Sequence, residues 1–66
     1  MESACRFAAS INKYQVGGNG YQFAGDYTTK GCYVYVNGPF NGRVYYGTGG
    51  TLDQIMAPLA VRDDLA

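Results

Sequence analysis

The stretch that decides the fold is Cys32-Tyr33-Val34-Tyr35-Val36, followed by Asn37-Gly38-Pro39-Phe40-Asn41-Gly42 and then Arg43-Val44-Tyr45-Tyr46. In an extended chain successive side chains point to opposite faces. Cys32, Val34 and Val36 therefore share one face, and Tyr33 and Tyr35 share the other. β-branched and aromatic residues favour the pleated conformation. The segment 37–42 is dense in residues that favour turns, and residues 43–46 read as the return strand. This is a β-hairpin over about 32–46. Its loop is longer than the two-residue ideal, so the sequence alone does not set the register.

Working outward, residues 21–27 alternate loosely, with Gly25 as an interruption. They read as a short, bulged edge strand. Before them, Gly17-Gly18-Asn19-Gly20 carries too much backbone freedom for a regular element. Residues 3–14 read as a helix, because Ala4, Phe7, Ala8, Ile11 and Tyr14 recur at helical spacing. After the hairpin, Thr51-Leu52-Asp53-Gln54 is a capping box. Leu52, Ile55, Met56 and Leu59 form an apolar face, and Pro58 ends the helix near Ala57. Residues 61–66 read as a frayed tail. The expectation is a single α+β domain over residues 1–66, with a two- or three-stranded antiparallel sheet, an N-terminal helix and a C-terminal helix.

Sixty-six residues leave a marginal core. Five basic residues balance five acidic ones, so the clustered positive charge of nucleic-acid and polybasic membrane binders is missing. No apolar run reaches the roughly 20 residues of a membrane-spanning helix. The expected partners exclude nucleic acid, and membrane insertion is not expected. No Asn-x-Ser/Thr triplet is present.

Cys5 and Cys32 stand too far apart for a Cys-x-x-Cys redox motif, and a chain without His cannot build an ordinary four-ligand zinc site. Two readings remain: a disulfide, or two buried thiols in a reducing compartment. The marginal core favours the disulfide, which on the chain-entropy model is worth roughly 3.5 kcal/mol. That points to an extracellular or other oxidising compartment, although Met1-Glu2-Ser3 does not itself read as a secretory signal.

The patterns of catalysis are thin. The commonest general base, His, is absent. Asp53 suits the first turn of the last helix, and Asp63-Asp64 reads as solvated. Gly47-Thr48-Gly49-Gly50-Thr51 lies between strand and helix, where anion-binding loops occur. It matches neither G-x-G-x-x-G nor a P-loop, so tight-turn and close-packing glycines are the better reading. Lys30-Gly31-Cys32-Tyr33 departs from the RNA-recognition consensus at Cys32 and Tyr33. No catalytic, cofactor-binding or metal-binding residue is expected, and the chain reads as a non-enzyme.

The tyrosines are the distinctive feature. On one reading, cross-strand aromatic pairs fill the second side of a thin sheet. On the other, they form an exposed platform, for which Tyr is suited by its large apolar area, polar tip and low entropy. The candidate binding surface is Tyr33, Tyr35, Tyr45, Tyr46 and Phe40, with Tyr21, Tyr27 and Phe23 on one side or the other.

From Tyr27-Thr28-Thr29-Lys30-Gly31-Cys32-Tyr33-Val34-Tyr35 through Gly42-Arg43-Val44-Tyr45-Tyr46-Gly47-Thr48-Gly49-Gly50-Thr51 the chain resembles a small Cys/Tyr/Gly-rich module of predicted secreted proteins of diatom-type algae. Those share Tyr-Thr-Thr-Lys-Gly-Cys-Tyr-x-Tyr, a Gly-containing turn and Tyr-Tyr-Gly-Thr-Gly-Gly-Thr. The resemblance covers residues 27–51, implies an extracellular or envelope setting, and carries over no catalytic residue. The functional expectation is a non-enzymatic extracellular structural or interaction module, or building block of a larger assembly, that uses a Tyr-rich face. The alternatives are a carbohydrate-binding module and a small accessory subunit of a larger, lumenal complex.

Overall fold

The hairpin forms in the register that sets Tyr33 opposite Tyr45, Cys32 opposite Tyr46 and Val34 opposite Val44. The structure is a computed structural model and describes residues 1–62. Its elements are α1 (Glu2–Ile11), β1 (Gln15–Val16), β2 (Ala24–Gly25), β3 (Gly31–Tyr35), a 3-10 turn (Gly38–Phe40), β4 (Arg43–Gly47), α2 (Leu52–Met56) and β5 (Ala60–Arg62).

The sheet is wider than the antiparallel one expected, and mixed. It has five strands in the order β1-β4-β3-β5, with β2 also pairing β4. Only β3 and β4 are antiparallel; β1 and β2 run parallel to β4, and β5 runs parallel to β3. The cause is backbone satisfaction. A lone hairpin leaves a row of unpaired N–H and C=O groups on each outer edge, and burying these without partners is costly. Two short segments cover the free edge of β4. The amide of Gln15 donates to the Gly42 carbonyl at 2.9 Å and that of Gly17 to Val44 at 2.8 Å. Further along, the amide of Tyr46 donates to Phe23 at 2.7 Å and that of Thr48 to Gly25 at 2.8 Å. Between them the glycine-rich segment leaves the sheet, closed by a Gly18–Tyr21 bridge. The other edge of the hairpin is covered by β5. Val61 and Arg62, expected in a frayed tail, thus lie in a strand; the rest of that tail, residues 63–66, lies outside the described residues.

One face of the sheet carries the core: Cys5, Ala9, Phe23, Cys32, Val34, Val44 and Tyr46. Val34 and Val44 are 0% exposed. Cys5 and Cys32 are joined as a disulfide with their α-carbons 5.5 Å apart. That closeness changes which face of α1 turns inward. Of the residues recurring at helical spacing, Phe7 and Ile11 are 66% and 63% exposed, while Cys5 and Ala9 are buried. A helix held this near a sheet has room only for small side chains between them. Val36, expected to share the buried face of Cys32 and Val34, lies past the end of β3 and is partly exposed. The Arg6 guanidinium sits 4.4 Å above the Phe23 ring, a cation–π contact that covers the edge of the core.

α2 starts with the capping box read from the sequence. The Gln54 amide donates to Thr51 Oγ1 at 3.2 Å, and the Thr51 amide donates to Gln54 Oε1 at 2.8 Å. Its end agrees as well: Ala57, ahead of Pro58, is already extended, as sterics before proline require. Thr51→Ala is expected to cost about 1 kcal/mol in a urea melt; no change in midpoint would mean that the box adds nothing. Two glycines are fixed by close approach. Gly31 and Gly47 face each other across the hairpin. A β-carbon on Gly47 would fall on the Thr29 carbonyl oxygen, and one on Gly31, at φ 84°, on the Gln54 carbonyl oxygen. The segment 47–50 is further tied to Lys30, which donates to Thr48 O at 2.8 Å and Asp26 Oδ1 at 2.7 Å. The Lys30 ammonium holds the Asp26 carboxyl below its ordinary pKa.

Candidate functional site

Alternation along the hairpin places Tyr33 and Tyr35 of β3 and Tyr45 of β4 on the face away from the core. Tyr33 and Tyr35 meet edge to face at 5.5 Å between ring centres. Tyr45 lies at the centre, 6.1 Å from Tyr33, 6.0 Å from Tyr35, 6.0 Å from Phe40 and 5.9 Å from Tyr27. Phe40 arrives on the 3-10 turn and touches Tyr35 and Tyr21, each at 5.6 Å. Tyr21 and Tyr27 come from the segment preceding β3 and touch each other at 6.4 Å. The Tyr21–Tyr27 pair and the Tyr33–Tyr35 pair are thus joined beneath by Tyr45 and at one end by Phe40. The result is an open trough of about 290 Å³, with Thr28 and Thr29 completing its lining. Among the described residues, none that lines it carries a charge.

Three polar links hold this arrangement. The Tyr45 hydroxyl donates to the Gly18 carbonyl at 2.6 Å, and the Tyr27 hydroxyl donates to the Gln22 carbonyl. Asn19 Nδ2 donates to the Pro39 carbonyl at 2.9 Å, which links the glycine-rich turn to the hairpin turn. Outside the lining, Arg43 donates to the Gly17 carbonyl at 2.9 Å and Arg62 to Thr29 Oγ1.

Of the five residues expected on a binding surface, four gather here: Tyr33, Tyr35, Tyr45 and Phe40. Their exposures differ. Tyr33 and Tyr45 are only 3% exposed and make the floor, so each is packed and lining at once. Tyr35 and Phe40 are half-buried and stand at the rim. Tyr46 does not belong to the surface. As the neighbour of Tyr45 in an extended strand it points the other way, into the core, where it stacks on Phe23 at 6.3 Å. The expected surface lacked Thr28 and Thr29 and left Tyr21 and Tyr27 unassigned between the two faces. Their segment has no regular alternation, and only the glycines around them hint at a loop that folds back. Tyr21, at 57% exposed, is the most open ring of the trough.

Burial raises the pKa of both floor phenols above the ordinary value of about 10. For Tyr33 the neighbouring Tyr35 adds to the effect, through charge repulsion and a hydrogen bond, and Arg62 opposes it in part. A phenol whose pKa is higher folded than unfolded keeps its proton in the native state while the unfolded chain loses it. The stability this proton confers is whole below about pH 10 and falls as pH rises from there toward the folded pKa. Stability is therefore expected to be insensitive to these groups up to about pH 9 and to drop above pH 10. In an alkaline titration followed by tyrosinate absorbance, a late class should ionise together with unfolding. A titration in which every tyrosine ionises reversibly around its ordinary value, in the folded protein, would contradict the buried floor.

Among the described residues no group of three or more His, Cys, Asp or Glu is placed to hold a metal ion, and no helix is long and apolar enough to cross a membrane. Comparison with family models, with curated proteins and with solved structures finds no match.

Proposed function

We propose that the protein is a non-enzymatic interaction module of an oxidising, extracellular setting, and that it contacts its partner through the aromatic trough and not through charge. The observation that carries this reading is the uncharged lining of six aromatic side chains and two threonines around an open trough. A well-packed thin sheet has no need to leave such a surface concave. Aromatic rings held rigid before contact lose little entropy when a partner covers them. The disulfide supports the compartment, since such bonds persist where the surroundings are oxidising. The secreted module that the 27–51 stretch resembles points the same way.

The test is near-UV circular dichroism of the tyrosines while a neutral hexasaccharide, a proline-rich peptide or further copies of the chain are added, at low and at moderate salt. At least one of these is expected to change the signal equally at both salt levels, because screening acts on exposed charges and hardly on apolar contact. A response that collapses with salt, or one that persists unaltered in Tyr21→Ala and Tyr35→Ala, would count against the reading.

A second observation favours the building-block form of this function. Phe7 and Ile11 of α1, Leu52 and Met56 of α2, and Val61 of β5 are each between 63% and 73% exposed. Burial of such side chains between subunits is a common source of association. Light scattering over a concentration series is expected to show a mass above that of the monomer, with Leu52→Asp returning it to one chain; a mass that stays at one chain throughout would count against the building-block form.

A further inference from the structure

We infer that the trough is a seat for an uncharged glycan, with a pyranose ring lying against the Tyr21 rim above the Tyr45 floor. This rests on the reading of the trough as the contact site and names its ligand. Three observations single out this chemistry. The first is the lining itself. Seven of its eight residues carry a hydroxyl, Phe40 being the exception, and none carries a charge. A pyranose offers the complement: a flat face of C–H bonds for the negative face of an aromatic ring, and a rim of hydroxyls.

The second is where the phenol protons go. Tyr45 spends its proton on the Gly18 carbonyl and Tyr27 on the Gln22 carbonyl. What remains on those oxygens is acceptor capacity. A ligand that pairs with them must donate. Sugar hydroxyls both donate and accept, so they can pair with these oxygens and with the other lining hydroxyls, whereas a proline-rich segment has no N–H at its prolines and can pair only where the lining donates. The third is the charge around the trough. Aromatic cages also take quaternary ammonium groups, but among the described residues no carboxylate lines the site, and Arg62 and Arg43 donate into its immediate surroundings. That disfavours a cationic guest. The volume, about 290 Å³, lies at the small end of ligand sites and suits one or two sugar rings.

The experiment is an amide chemical-shift titration of the whole disulfide-bonded chain with cellohexaose and mannohexaose. Oligogalacturonate serves as the charged sugar and decaproline as the peptide. Shifts are expected at Tyr21, Tyr27, Thr28, Tyr35 and Phe40 with at least one neutral hexasaccharide, unchanged by moderate salt. Tyr21→Ala, an exposed position, should weaken that binding about tenfold while melting like the wild type. Tyr27→Phe, which keeps the ring and removes the acceptor oxygen, should weaken it several-fold. Decaproline shifting the trough residues while both neutral sugars do not would overturn the glycan inference and leave the contact reading standing. Preference for oligogalacturonate would overturn it too. Sugar-induced shifts confined to α1 and α2, or no response to any of the four, would overturn the glycan inference; the contact reading falls as well if added copies of the chain also leave the trough residues unshifted.

Discussion

Reduction of the Cys5–Cys32 bond, or Cys32→Ala in its place, is expected to remove about 3.5 kcal/mol of stability. The bond closes a segment with a sequence separation of 27, and the loop entropy it takes from the unfolded chain gives that magnitude. For a domain of this length total stability is on the order of 3–10 kcal/mol, so the loss is a large share of the whole. The geometry adds to the case. The disulfide is the covalent tie between α1 and the sheet, and α1 presents only small buried side chains, Cys5 and Ala9, to that sheet. Without the bond, the helix has little apolar contact to hold it in place. Urea melts with and without reductant should differ accordingly, and intact mass should rise by two hydrogens on reduction. Two freely alkylated thiols in the non-reduced, unfolded protein, or coincident melts, would sink this expectation and the oxidising setting with it.

Tyr45→Ala is expected to cost about 3–5 kcal/mol, the range for truncating a buried aromatic side chain. Tyr45 is 3% exposed and touches Tyr27, Tyr33, Tyr35 and Phe40. Its removal would leave a void under both walls and free the Gly18 carbonyl of its partner. Tyr45→Phe keeps the packing and loses one hydrogen bond, for about 1 kcal/mol. Tyr21→Ala, at an exposed ring, should fall within about 0.5 kcal/mol of the wild type. This order, read from equilibrium melts, separates floor from rim. Equal costs at positions 21 and 45 would mean that the trough has no packed floor.

The hairpin, both helices, the capping box and the end of α2 were legible in the sequence because each rests on a local signal: alternation, 3.6-residue spacing, a hydroxyl three residues before an amide, a proline. The parallel strands were not. β1 and β2 have two residues each, too few to show any period, and they exist because the β4 edge needs partners. The Val61 and Arg62 positions of β5 read as tail for the same reason. The helical spacing of Ala4, Phe7, Ala8 and Ile11 does not mark the inward face of α1, which the disulfide and the close approach of the helix give to Cys5 and Ala9. In the trough, alternation places Tyr33 and Tyr35 on one face; Tyr45 and Tyr46 both stood among the expected surface residues, yet as strand neighbours they alternate, and Tyr46 turns into the core. Tyr21 and Tyr27 stayed ambiguous, since a fold-back through Gly17, Gly18 and Gly20 is a long-range arrangement, held by the Tyr45–Gly18 and Asn19–Pro39 hydrogen bonds.

Both claims about the trough, a rigid floor and a contacting rim, meet in one paired measurement on Tyr21→Ala: its melting and its association with the ligand or partner that shifts the trough residues, at low and moderate salt. The expected result is a melt indistinguishable from the wild type within about 0.5 kcal/mol, with association weakened about tenfold and by the same factor at both salt levels. Association that survives the substitution intact, or that vanishes with salt in the wild type, would contradict a function carried by the aromatic trough.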